Sequence, residues 1–200
     1  MKTDIILAGV GGQGILSIAA VIGTAAVESG LYLKQSEVHG MSQRGGAVQS
    51  HLRISDRPIY SDLIPEGSCD IILAVEPMEA LRYLPYLDDE GWLITNSDTV
   101  KNIPDYPDED QVFKEIKLVK NHRIVNATDI ARKLGIVKAS NIVMLGAASD
   151  QLGFPPGSLE KALNIVFGRK GEDIVKMNIS AFESGRDNGK FTETNEFSNG

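Results

Sequence analysis

Apolar positions along this chain come as short unbroken runs and as longer stretches with a helical repeat, and the two kinds alternate. Asp4–Ala8 is a short apolar run closed by glycines, which predicts a strand. Gly9-Val10-Gly11-Gly12-Gln13-Gly14 turns the chain, and the helical spacing after it predicts a helix from about Gly14 to Ser29, stopped by Gly30. Leu31–Lys34 reads as a second strand completing a βαβ crossover. Val48–Ile54 alternates apolar and polar residues, the period of a half-exposed strand, with His51 on its polar face. Ser55-Asp56-Arg57-Pro58 is turn chemistry, and Ile59-Tyr60-Ser61 is the expected return strand. A β-hairpin insertion near residues 47–61 follows, at a sheet edge or a dimer surface.

Asp70–Val75 is continuously apolar, as a central parallel strand covered on both faces must be. A helix over Met78–Leu87 and a buried strand over Gly91–Asn96 come next, then a surface loop from Ser97 to Asp110 with two prolines and five acids. Val112–Val119 and Arg123–Val125 read as strands, and Thr128-Asp129 opens a helix ended by Gly135. Asn141–Leu152 reads as a helix broken by Gly153-Phe154-Pro155-Pro156-Gly157, and Ser158 starts another with an approximate capping arrangement. A last helix is predicted over Glu172–Ser184, and the polar stretch from Lys190 is expected to fray. The alternation gives an α/β, Rossmann-like, mostly parallel sheet flanked by helices. No repeat or linker divides the chain, so one domain over 1–188 and a polar tail over 189–200 are expected.

Composition narrows the partners. Two hundred residues suit one domain, able to bury about 70% of the unfolded chain's surface. The net charge of −7 favours neither nucleic acid nor an anionic membrane as partner. No apolar run reaches the roughly 20 residues of a membrane span, and the opening residues lead straight into a strand, so a cytoplasmic protein is expected. One cysteine, Cys69, excludes an internal disulfide and any cysteine-ligated iron–sulfur cluster built by this chain alone.

Candidate chemistry concentrates in two glycine-rich stretches and one acid. Gly9, Gly11 and Gly14 fit G-x-G-x-x-G after a strand and before a helix. There the first glycine is expected to allow the turn, the second to admit a ligand and the third to let helix and strand pack. Unpaired N–H groups and the helix dipole would face an anion; a tight turn with no ligand is the plain alternative. The acid that would hold an NAD ribose is missing: Lys34, Gln35 and Ser36 occupy its place, with Glu37 just beyond. Ser36–Ala47 is a loop in which Arg44 can present a guanidinium fork to phosphate or carboxylate. His39 and Ser42 suggest a base and a nucleophile, but no third group orients them, and His39 bonding to backbone is the simpler reading. His39, His51 and His122 lack metal-ligand spacing. Glu76 stands at the carboxyl end of a strand, where α/β folds bind ligands, and equally where a helix N-terminus would take an acid.

Taken together, Gly9–Gly14 and Glu37-Val38-His39-Gly40-Met41-Ser42-Gln43-Arg44-Gly45-Gly46 resemble the gamma-type domain of 2-oxoacid:ferredoxin oxidoreductases. Ser36–Gly46, Tyr60–Gly67 and Glu76-Pro77-Met78-Glu79-Ala80 are most similar to the beta subunit of the indolepyruvate branch, and the likeness runs from residue 3 to about 185. The resemblance implies oxidative decarboxylation of an aryl pyruvate with coenzyme A, the electrons passing to ferredoxin. It implies an alpha subunit carrying thiamine diphosphate and 4Fe-4S clusters, and leaves binding and positioning, with coenzyme A as candidate ligand, to this chain. The candidate binding residues are Gly9, Gly11, Gly12, Gln13, Gly14, Glu37, His39, Ser42, Arg44, Gly45, Gly46 and Glu76; no catalytic residue and no metal ligand is assigned. A free-standing nucleotide-dependent reductase and a non-catalytic scaffold are the alternatives, and a homodimer is conceivable when the alpha subunit is missing.

Overall fold

The computed structural model describes residues 1–39, 46–101 and 103–194. Its centre is the first strand, β1 (Lys2–Val10), whose apolar residues serve both faces: Ile5 and Leu7 enter one buried cluster, Ile6 and Ala8 the other. Helix α1 (Ile15–Glu28) follows, burying Ile15, Ile18, Val21, Ile22 and Ala25 against the sheet. Among the described residues there are six strands and seven α-helices: β2 (Tyr32–His39), β3 (Ala47–Ser55), β4 (Cys69–Ala74), α2 (Pro77–Arg82), β5 (Leu87–Asn96), α3 (Glu109–Lys117), β6 (Asn121–Val125), α4 (Ala127–Lys133), α5 (Ser140–Ala148), α6 (Ser158–Phe167) and α7 (Glu172–Thr194).

The sheet order is β2-β3-β1-β4-β5-β6. β1, β4, β5 and β6 run parallel, and β3 is antiparallel to both β1 and β2. The mostly parallel α/β architecture is therefore as expected, with two corrections at its left side. β2 does not pair with β1, so no adjacent βαβ crossover forms; β3 is inserted between them. The hairpin partner of β3 is β2 rather than Ile59-Tyr60-Ser61, which form no strand. Alternation revealed β3, but the choice of partner depends on which edge closes over α1, and periodicity carries no such information.

Three helical boundaries also differ. The segment expected as a strand over Val112–Val119 is helical as far as Lys117: Asp108 caps the helix by accepting from Gln111 N at 3.2 Å, and Val112 and Ile116, one turn apart, are its buried positions. The helix expected over Met78–Leu87 stops at Arg82 and gives way to a 3-10 turn at Leu84–Tyr86, where Pro85 cannot continue it. α7 runs to Thr194 rather than ending near Ser184. At α6 the cap position belongs to Gly157, with φ 82°, and no side chain caps. α5 and α7 cross very closely: a Cβ on Gly146 would lie 2.0 Å from Phe182 O, and one on Gly185 2.0 Å from Val143 O.

His51 is buried rather than on an exposed polar face. Its Nδ1 accepts from Ile64 N at 3.1 Å, and its ring stands edge-on to Tyr86. Burial holds its pKa below the usual imidazole value, with Arg53 adding to this and Asp62 opposing. Beside it Arg53 forks onto the buried Asp4, Nε to Oδ1 at 2.9 Å and Nη2 to Oδ2 at 3.1 Å, while Nη1 donates to Leu63 O at 3.0 Å. These two side chains pin the segment between β3 and β4 to the sheet.

Candidate functional site

The connection β1–α1 leaves the sheet on one face and β4–α2 on the other, because α1 packs in the cluster of Ile5 and Leu7 while Ala80 of α2 packs in that of Ile6 and Ala8. The carboxyl ends of β1 and β4 thus flank a topological switch point, the place where open α/β sheets leave a crevice for ligands. Gly9–Gly14 occupies one side of it and Glu76 the other.

The glycines divide their work differently from the motif's usual assignment. Gly9 is still in the strand, and a methyl there would sit 2.4 Å from Val75 Cγ2, so it is the close-packing position. The turn is made by Gly12, with φ 99°, and Gly14, with φ 80°, conformations that L side chains disfavour. Gln13 folds back across the loop: its Oε1 accepts from Val10 N at 2.7 Å and its Nε2 donates to Val75 O at 3.3 Å. Gln13 therefore ties β1 to the end of β4 and holds the loop's shape. Among the described residues, no hydrogen bond takes up the N–H of Gly12 or Gly14. With the amides of Ile15 and Leu16 at the start of α1 they form a patch of donors at a positive helix end, while Ser17 N is taken by Gly14 O at 3.0 Å.

The second glycine stretch is tied to this loop through backbone. Gly11 N donates to Gly46 O at 2.8 Å, and Val10 stands opposite Ala47 across the β1–β3 ladder. β2 ends at His39, opposite Val48, at the same end of the sheet. Glu37 lies opposite Ser50, with Gln35 Nε2 reaching Glu37 Oε2 at 3.3 Å and Ser50 Oγ at 3.1 Å. Ser42, Arg44 and Gly45 fall outside the described residues.

Glu76 is buried and its carboxylate turns inward. Oε2 accepts from Glu79 N at 2.9 Å, capping α2, whose first residue is Pro77; Oε1 accepts from Tyr106 Oη at 2.5 Å and from Val100 N at 3.3 Å. Of the two readings the sequence left open, the cap is the one this geometry displays. Burial and then the bond to Glu76 push the Tyr106 phenol well above its ordinary range.

Asn141 is a residue that motif reading missed. Its Nδ2 donates to Gly14 O at 3.0 Å, linking α5 to the glycine turn across the interior. A polar residue opening the otherwise apolar Ile142–Ala148 run was the available signal. Cys69 is buried, and burial raises its thiol to about 12, so it stays protonated and inert at neutral pH.

The NAD alternative loses its geometry here. An acid at the end of β2 would be two strands away from β1 because β3 intervenes. What the fold and site define is an α/β domain with an amide-lined glycine turn braced by a second glycine segment. The profile of pyruvate ferredoxin/flavodoxin oxidoreductases matches residues 4–188, and the chain belongs to this family. Indolepyruvate oxidoreductase subunit IorB of Archaeoglobus fulgidus is 39% identical, over 92% of this chain and 94% of that subunit. The gamma subunit of a keto/oxoacid ferredoxin oxidoreductase from Geobacter sulfurreducens shares the structure with a TM-score of 0.69 at 28% identity, over 94% of this chain and 99% of that one. A 2-oxoglutarate:ferredoxin oxidoreductase from Magnetococcus marinus, solved with 2-oxoglutarate, coenzyme A and succinyl-CoA bound, has the same fold within a longer chain. Its TM-score is 0.75 at 20% identity, over 95% of this chain and 31% of that one. The chain is thus of a kind that serves as a small subunit in oxidoreductase assemblies.

Proposed function

We propose that this chain is the small subunit of a 2-oxoacid:ferredoxin oxidoreductase of the indolepyruvate type, and that its glycine turn receives the pyrophosphate of coenzyme A. The observation that carries the site is the donor patch of Gly12 N, Gly14 N, Ile15 N and Leu16 N, held at the switch point by Gln13 and Asn141. Coenzyme A offers a pyrophosphate for those amides and a 3′-phosphate for a guanidinium such as Arg44. Similarity to IorB supports the aryl-pyruvate branch, and the coenzyme A bound in the Magnetococcus enzyme of the same fold supports the ligand.

The reaction takes an aryl pyruvate, coenzyme A and two oxidised ferredoxins to an aryl acyl-CoA, carbon dioxide, a proton and two reduced ferredoxins. Thiamine diphosphate and 4Fe-4S clusters, assigned to the partner alpha subunit, supply carbanion stabilisation and electron transfer. This chain binds and orients the thiol carrier. In that setting it works in the cytoplasm, and 1–188 is its single functional domain. Gly9, Gly11 and Gly46 shape the turn, Glu37 and His39 stand towards the end of β2, and Ser42 and Gly45 are proposed with them as binding residues. Glu76 acts only indirectly, by fixing α2.

Co-expression with the alpha subunit, followed by coenzyme A-dependent reduction of a viologen dye, tests the reading. Activity requiring both chains and favouring indolepyruvate and phenylpyruvate over pyruvate and 2-oxoglutarate is expected. Arg44→Ala should raise the KM for coenzyme A with thiamine binding unchanged. An unaltered KM rejects the Arg44 role, and activity confined to the aliphatic acids rejects the branch.

A further inference from the structure

Exposed apolar side chains stand around one opening in the surface. Val137 and Met177, which are 49% and 40% exposed, line a cavity of about 560 Å³ between the first turn of α1, the segment 135–141, the end of α6 and the start of α7. Leu16 and Leu134, 49% and 38% exposed, are the chain neighbours of its lining residues Ser17 and Gly135. The same surface is basic. Segments 130–141 and 161–171 supply most of the lining and hold six basic residues and no acid, in a chain of net charge −7. Of the acids that flank these segments, Asp129, Glu160 and Glu172 are engaged by Arg132, Arg186 and Lys176, and none of them, nor Asp173, lines the cavity. Lys138 and Lys170 do line it; both are exposed, and neither has an ion pair among the described residues.

We propose that this surface is where the large partner subunit docks: an apolar side chain of the partner enters beside Val137 and Met177, and carboxylates around it meet Lys138 and Lys170. Apolar side chains left in water around one opening, with charged groups at the rim, are the composition of an interface core and its border. Desolvation of the anchor supplies affinity, and the unpaired cations select an acidic partner and speed its encounter. A second copy of this chain is a poorer occupant, because a two-fold contact would set two identical basic surfaces against each other. The identity of the partner rests on the proposed function, in which an acyl group passes from the large subunit to the thiol carrier held by this chain. That transfer requires the two chains to meet beside the glycine turn. The surface adjoins the turn: Ser17 and Asn141 line the cavity, and Ser17 N and Asn141 Nδ2 both donate to Gly14 O at 3.0 Å.

The test compares the wild-type complex with variants of the full chain, co-expressed with the large subunit, by analytical ultracentrifugation and amide hydrogen exchange. Complex formation should slow exchange at 133–138 and 170–177. Val137→Asp and the double variant Lys138→Glu/Lys170→Glu should each associate roughly tenfold or more weakly, the lysine variant losing less at high salt. These side chains are exposed, so the unfolding midpoints of the free variants should match wild type. Lys114→Glu/Lys117→Glu on α3 makes the same change of charge on the other face of the sheet and should associate as wild type does. Wild-type association by Val137→Asp and by the lysine variant, or an equal loss in the α3 control, overturns the docking surface and leaves the proposed function standing. A wild-type chain that does not associate with the large subunit overturns the proposed function, and the docking assignment with it.

Discussion

Gly9→Ala tests whether the first glycine of the turn is a packing position. The added methyl would meet Val75 Cγ2 at 2.4 Å, and Gln13 Oε1 and Ile15 Cδ1 at 2.9 Å. Val75 and Ile15 are themselves buried, so neither has open space to retreat into. Overpacking of this kind costs about 1–3 kcal/mol. In a chain of this length each kcal/mol lowers the midpoint by roughly 2–4 °C, so a loss of roughly 4–8 °C is expected for 2 kcal/mol. Val75→Ala removes the worst clash; by itself it should cost roughly 1.5 kcal/mol, two methyl groups at about 0.8 kcal/mol each. If sterics against Val75 dominate, the double variant should be more stable than the sum of the singles by about 1 kcal/mol or more. Gly12→Ala supplies the contrast. Nothing lies within 4 Å of its Cβ position, but its φ is 99°, so about 1–2 kcal/mol of backbone strain should remain whatever happens at Val75. Urea unfolding of the four variants and wild type decides the matter. Gly9→Ala as stable as wild type, or a double variant no better than additive, would refute the packing argument.

Three further outcomes can be measured on the same footing. His51 has a folded-state pKa below its unfolded one, so the unfolded chain binds the extra proton first and stability should fall as pH drops below about 6.5; protonation also removes Nδ1 as acceptor for Ile64 N, and His51→Gln should flatten that part of the stability–pH curve. Gly146→Ala sets a methyl against the carbonyl of Phe182 at 2.0 Å, where only backbone can give way, and should cost more than about 3 kcal/mol or prevent folding, read by circular dichroism and thermal melts. Tyr106→Phe removes one donor from Glu76 and should cost about 1 kcal/mol, whereas Glu76→Ala also loses the α2 cap and leaves Val100 N and Tyr106 Oη without their acceptor, so urea unfolding should show a clearly larger loss.

The linear pattern by itself determined most of the elements and the class of sheet. β1, β4 and the Gly91–Asn96 half of β5 were legible because a strand segment covered on both faces is predominantly apolar, and α1 because its apolar repeat ends at Gly30; the exposed Asp88–Glu90 start of β5 carried no such signal. The first glycine stretch also marked the turn of the candidate site, since backbone that must turn sharply or be closely approached requires glycine. Val112–Val119 was misread because Val112 and Ile116 satisfy a period of two as well as a period of four, and only the cap from Asp108 distinguishes them. What the tertiary structure alone decided were relations between distant segments. The placing of β3 between β2 and β1, the bond from Gly11 N to Gly46 O, the Asn141 brace and the inward turn of Glu76 each join residues far apart in the chain. Local periodicity records which face of an element is buried and says nothing of what buries it; that is fixed only when the layers close over one another.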